Sequence, residues 1–114
     1  MGIERIQPGA WNSKAVIYNG VVYLSGIVAD DKTFPMKEQT NQVLSKIDAV
    51  LAAAGTDKSR ILSATVYLAD MSKKDEMNEA WIAWMDPDNP PVRAAVGTKL
   101  TPATLVEIMV CAAE

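Results

Sequence analysis

Arg93 is the residue of this chain best placed to do chemistry. It follows Asp86-Pro87-Asp88-Asn89-Pro90-Pro91 and precedes Ala94-Ala95-Val96-Gly97, so a proline-stiffened approach delivers a guanidinium that no bulky neighbour crowds. Such a group can grip a carboxylate through two parallel N–H bonds in one plane, a geometry that lysine cannot copy. The same placement would serve a surface salt bridge, and residue type alone leaves both roles open. Glu107 and Met109 stand two apart in the strand-like run Leu105–Ala112 and therefore share one side. Glu107 is either part of a solvated strand face or a site carboxylate. Asn78 lies between Met77 and Trp81, where its amide can orient a ligand or simply meet water. Ser25-Gly26 sets a hydroxyl beside a backbone that a ligand can approach, because glycine has no Cβ.

What the chain lacks narrows the chemistry further. There is no histidine, so an imidazole base, a Ser/His/Asp triad, a histidine-containing metal site and haem ligation are excluded. The single cysteine, Cys111, has no partner for an intrachain disulfide and reads as a buried thiol in an apolar strand, consistent with a reducing compartment. Asp86, Asp88 and Asn89 superficially resemble a calcium loop but lack its glycine and terminal glutamate, so no metal is expected. A net charge of −3 and an isoelectric point near 4.9 repel phosphate backbones, which argues against nucleic acid. The apolar runs are too short to span a membrane, and Met1–Ile6 shows neither a signal-peptide core nor a myristoylation signal. The expected address is the cytoplasm.

Elements must hold these side chains in place, and hydrophobic patterning suggests which. Ala15–Tyr18 and Val21–Leu24 flank Asn19-Gly20, the pair that type I′ hairpin turns prefer. Ala29–Pro35 is turn-rich and reads as a loop. From Met36 the apolar positions Val43, Ile47, Val50, Leu51 and Ala54 recur at helical spacing, and Gly55 follows where a helix ends. Ile61–Leu68 is β-rich and suits a central strand. Ser72-Lys73-Lys74-Asp75 offers a capping box to a second helix with the stripe Met77, Ala80, Trp81, Trp84. Both tryptophans read as core or interface residues. Trp11 sits in a polar context before the first hairpin and fits a pocket wall or a subunit boundary. Ala94–Lys99 and Leu105–Ala112 complete a ββαβαββ order, with room for a short extra strand near Ile3–Ile6.

That order implies an α+β layer with both helices on one face of a mostly antiparallel sheet. The opposite face then has no cover. Wherever Val16, Val22, Val66, Tyr67, Val96 or Val106 project there, the exposed apolar surface must meet another chain.

Taken in register, Asn19–Gly26, Glu38-Gln39-Thr40, Ala53-Ala54-Gly55, Ala64–Met71, Met77-Asn78, Pro91-Val92-Arg93 and Leu105–Ile108 resemble the RidA (reactive intermediate deaminase) family across almost the whole chain. The resemblance implies one chorismate-mutase-like domain over residues 1–114, assembled as a homotrimer with helices outside and a cleft between each pair of subunits. It also implies hydrolysis of enamine and imine intermediates of the 2-aminoacrylate type to 2-keto acids and ammonia, with no metal or organic cofactor. Arg93 would clamp the substrate carboxylate, with Ser25, Gly26 and Asn78 lining the pocket. Trp11-Asn12-Ser13 stands in place of the family's Pro-Tyr-Ser-type motif, so Trp11 is carried as a lining residue. The last strand reads Glu107-Ile108-Met109 where family deaminases often carry Glu-Ile-Glu, and position 95 is alanine. Glu107 is then the strand's remaining carboxylate. The alternative reading is a catalytically weak trimer that binds small carboxylates in a sensing or interaction role. The family's older endoribonuclease label fits poorly with an acidic, histidine-free chain.

Overall fold

The computed structural model describes residues 2–114. The chain runs β1 (Glu4–Pro8), β2 (Ser13–Tyr18), β3 (Val21–Leu24), β4 (Ile27–Val28), α1 (Met36–Ala53), β5 (Ile61–Leu68), α2 (Lys74–Trp84), β6 (Val92–Gly97) and β7 (Val106–Ala113). All seven strands join one sheet in the order β1-β2-β3-β7-β5-β6, with β4 pairing beside β3 onto β7. Every pairing is antiparallel except β5 with β6. Those two are parallel because α2 carries the chain back across the sheet between them, as a parallel connection requires. The expected α+β arrangement is the one observed. The extra strand near Ile3–Ile6 forms as β1, whereas the two-residue β4 has no counterpart in the sequence reading.

Local chemistry accounts for the element ends. Asn19 and Gly20 both take positive φ, +52° and +77°, as a type I′ turn demands, and Tyr18 pairs with Val21 across it. Gly55 at φ +80° ends α1, and the Thr56 N–H donates to the Leu51 carbonyl at 3.0 Å, closing a Schellman-type cap. The anticipated capping box at Ser72 does not form. Asp70 instead accepts from the Ser72 N–H and hydroxyl at 2.9 and 2.7 Å, capping a short 3₁₀ turn over Met71–Lys73. The hydroxyl is spent one turn too early to cap α2, which starts without a side-chain cap.

The core lies between the sheet and the two helices. Alternation sends Ala64, Val66 and Leu68 of β5 and Val106, Ile108, Val110 and Ala112 of β7 into it, where they meet Val43, Leu44, Ile47 and Leu51 of α1 and Met77, Ala80 and Trp81 of α2. Gln39, Thr40 and Thr104 are the buried polar residues among those described, and Gln39 makes the most bonds. Its Nε2 donates to the carbonyls of Phe34 (2.9 Å), Ala103 (3.1 Å) and Lys32 (3.3 Å), and its Oε1 accepts from the Leu105 N–H (3.1 Å), tying two loops to the start of α1. The other sheet face is open. Val16, Tyr67 and Val96 lie there as expected, whereas Val22, Val66 and Val106 point into the core. Cys111 joins the open side and is half-buried, correcting the expected buried thiol. Its register partner Tyr23 is exposed and Ser63 is half-buried, so the odd positions of β7 face outward.

Candidate functional site

Arg93 is the second residue of β6, an edge strand. Its register partner is Ala64, which points into the core, so the Arg93 side chain leaves the sheet on the helix side. There the guanidinium carbon sits 5.1 Å from the centre of the Trp81 ring, and Nη1 lies 3.8 Å from Met77 Sδ. Burial lowers the pKa of the group from its ordinary value, although an arginine remains cationic at neutral pH. The ion pairs among the described residues are Lys37–Glu79, Lys46–Asp30 and Lys73–Glu76. Arg93 belongs to none of them. The salt-bridge reading of this residue is therefore not the one the chain adopts. A half-buried cation is held against an aromatic face and a thioether, with no carboxylate among the described residues to neutralise it. Asn78 follows Met77 on α2 and is half-buried.

A second group gathers at the far side of the sheet. Glu107 pairs with Val28 and Tyr67, so it emerges on the open face. Its carboxylate packs over Gly26 so closely that a Cβ there would overlap Oε2, with Cδ and Cγ at 3.1 and 3.3 Å from that position. The space left by the missing side chain of Gly26 is filled within this chain by Glu107. Beside it, the Ser25 N–H donates to the Lys14 carbonyl at 3.0 Å, while the hydroxyl reaches that oxygen only at 3.5 Å. Met109 is exposed on the same face as Glu107, in register with Thr65. Trp11 occupies the tip of the β1–β2 turn, where it is 87 % exposed.

The sequence-derived residues thus fall into two clusters. Arg93 stands on the edge strand beneath α2, the helix that carries Asn78, and Ser25, Gly26 and Glu107 share the ends of β3, β4 and β7. The clusters are on opposite faces, so one chain does not bring Arg93 and Glu107 to a common point. One hollow adjoins the second cluster, and another lies at the Asn19-Gly20 end of the β2–β3 hairpin, away from both clusters. The first, of about 250 Å³, runs from Gly26 and Val28 past Lys14 and Lys46 to Val50, although the Lys46 ammonium is already bound to the Val28 carbonyl and Asp30, each at 2.8 Å. The second, broader at about 420 Å³, is lined by Glu4, Tyr18 and Glu114. Its negative charge suits no carboxylate ligand. Trp81 was legible as a helix-stripe residue but not as the platform under Arg93, because only the parallel β5–β6 pairing brings β6 beneath α2.

Comparison with known proteins adds to this geometry. The family model described as Endoribonuclease L-PSP matches residues 2–114. A RutC family protein of Haemophilus ducreyi is 51 % identical over 112 residues, covering 97 % of this chain and 96 % of the relative. The RutC family protein YoaB of Escherichia coli is 42 % identical over 114 residues, covering 99 % of both. Among solved structures, a YjgF family member from Neisseria meningitidis superposes with a TM-score of 0.96 at 39 % identity, covering 100 % of this chain and 96 % of its own. No helix among the described residues is long and apolar enough to cross a membrane. With the fold, the register and these matches in agreement over the whole described length, the chain belongs to the RidA/YjgF family, whose model carries the name Endoribonuclease L-PSP.

Proposed function

We propose that residues 1–114 form a single domain that assembles as a homotrimer and hydrolyses small enamine and imine carboxylates of the 2-aminoacrylate type to 2-keto acids and ammonia. The observation that carries this reading is Arg93, a half-buried cation without a carboxylate partner among the described residues. Burying a charge without compensation is costly, and a ligand carboxylate supplies the compensation. The open sheet face supports the assembly. Tyr23, Val96 and Met109 are each more than 40 % exposed on it, and a second subunit would cover them. Such packing also offers a way to bring the Arg93 edge of one chain toward the Ser25, Gly26 and Glu107 cluster of another. Trp11 at its exposed turn and Asn78 beside Met77 are the remaining proposed lining residues.

In this reading Arg93 holds the substrate carboxylate in two N–H bonds. An enamine first takes a proton at its β-carbon and releases one from nitrogen to become the imine. Water then adds through its oxygen to the imine carbon as one of its protons passes to nitrogen, and the C–N bond breaks as the second passes from the new hydroxyl to the departing ammonia. Glu107 orients that water and relays its first proton. The site contributes positioning more than strong acid–base power, which suits a chain without histidine. We place the reaction in the cytoplasm, and no cofactor is required by it.

The second reading, a weakly catalytic trimer that binds keto acids, is favoured by Met109, a thioether where family deaminases often carry a second glutamate. One assay separates the two. 2-Aminoacrylate is generated by a dehydratase or an amino-acid oxidase, and keto-acid release is followed in competition with semicarbazide. The deaminase reading expects the protein to accelerate release. Pyruvate binding without acceleration establishes the weaker reading, and neither binding nor acceleration refutes both.

A further inference from the structure

Resting on the proposed carboxylate role of Arg93, we infer that Trp81 is a positioning residue for that site: its ring face, with the Met77 sulfur, fixes the guanidinium and leaves its N–H edge for the ligand. Three observations lead there. First, the guanidinium carbon lies 5.1 Å from the ring centroid, inside the range of a cation–π contact. Second, the ring cannot give way. Trp81 is only 5 % exposed, packs against Trp84 at a centroid distance of 5.4 Å, and Trp84 is itself tied to Asp48 by an Nε1–H bond of 2.9 Å. Third, the hydrogen-bond partner of the guanidinium among the described residues is Met77 Sδ, a weak acceptor on a fully buried side chain.

Physical chemistry gives this choice of neighbours a consequence. A carboxylate beneath Arg93 would hold the guanidinium as firmly, but it would occupy the N–H donors and cancel the charge the ligand must meet. A π face attracts the cation without accepting its in-plane N–H bonds. Trp81 thus restrains a long side chain that otherwise loses rotamer freedom on binding, and lowering that loss is a direct gain in affinity. Trp81 touches no substrate in this account. It acts through Arg93.

The experiment compares pyruvate with its neutral amide, pyruvamide, by calorimetry on the assembled protein. In Trp81→Leu the pyruvate affinity is expected to fall by about 5–30-fold, the range of a partly desolvated cation–π contact, with pyruvamide affinity unchanged. Trp81→Phe, which restores a smaller π face, is expected to recover part of the loss. Because Trp81 is a core residue, a second measurement keeps the fold intact: fluorinated tryptophan placed at position 81 alone, with Trp11 and Trp84 unchanged, drains the ring face of charge at nearly constant size. Pyruvate affinity should then decline stepwise with the number of fluorines. Pyruvate affinity that is indifferent to fluorination, or equal losses for pyruvate and pyruvamide in Trp81→Leu, would show a packing role only and overturn the inference while leaving Arg93 in place. Wild-type protein that binds pyruvate no better than pyruvamide would overturn the Arg93 reading itself, and this inference with it.

Discussion

Arg93→Ala separates a ligand anchor from a structural cation, and the structure sets the size of both effects. The substitution breaks no intrachain ion pair, since Arg93 has none among the described residues. It removes the contact over Trp81 and the long approach to Met77 Sδ. A cation–π contact at a half-buried site contributes about 0.5–2 kcal/mol, so the melting temperature should fall by about 2–10 °C. The binding effect is larger. A charge-assisted hydrogen bond contributes about 1.5–3 kcal/mol, which makes the expected loss of keto-acid affinity or turnover roughly 10–150-fold. Arg93→Lys keeps the charge but not the planar fork, and should recover only part of that loss. Calorimetry with pyruvate, run beside a thermal melt and light scattering, reads all three quantities. Intact affinity and turnover in a stable, correctly assembled Arg93→Ala protein would refute the reasoning, whatever the melting temperature.

Two further outcomes follow from the packing. Gln39→Leu leaves the Leu105 N–H and the Phe34 and Ala103 carbonyls without their buried partner, so urea unfolding should show a loss of about 2–4 kcal/mol, and a loss under 1 kcal/mol would mean that water replaces the amide. Gly26→Ala puts a methyl group where the Glu107 carboxylate lies, and displacing that group should lower turnover by about 10-fold or more with assembly intact. The same change made in a Glu107→Ala background should cost nothing further, and an additive loss would show that Gly26 acts on its own.

Much of the fold was legible because its signals are local. Asn19-Gly20 named a hairpin with positive φ at both turn residues, and the apolar spacing from Met36 to Gly55 named a helix with its cap. Ser72 misled for an equally local reason: Asp70, two residues earlier, captures its N–H and hydroxyl before α2 begins. The two-residue β4 carries too little sequence to show a period, and only its pairing with Ile108 and Glu107 makes it a strand. The faces of the sheet were harder. Val22 and Val66 look no different from Val16 and Val96 in sequence, and register alone sorts them between core and open side. The same limit applies to the candidate site. Strand period put Glu107 and Met109 on one face, but nothing in the spacing shows that Arg93 leaves by the other, or that Trp81 lies beneath it.

That placement on opposite faces gives the central claim its sharpest test, which is complementation between two damaged subunits. Arg93→Ala and Glu107→Ala chains are each prepared, mixed in equal amounts, unfolded and reassembled together, and imine hydrolysis is measured against each variant alone. If every site takes Arg93 from one chain and Glu107 from its neighbour, random assembly pairs an intact Arg93 with an intact Glu107 at about one quarter of the sites. The account predicts recovery near one quarter of wild-type turnover in the mixture, with both parents nearly inactive. A mixture no more active than its parents, in trimers shown by mass to contain both chains, would contradict the inter-subunit site.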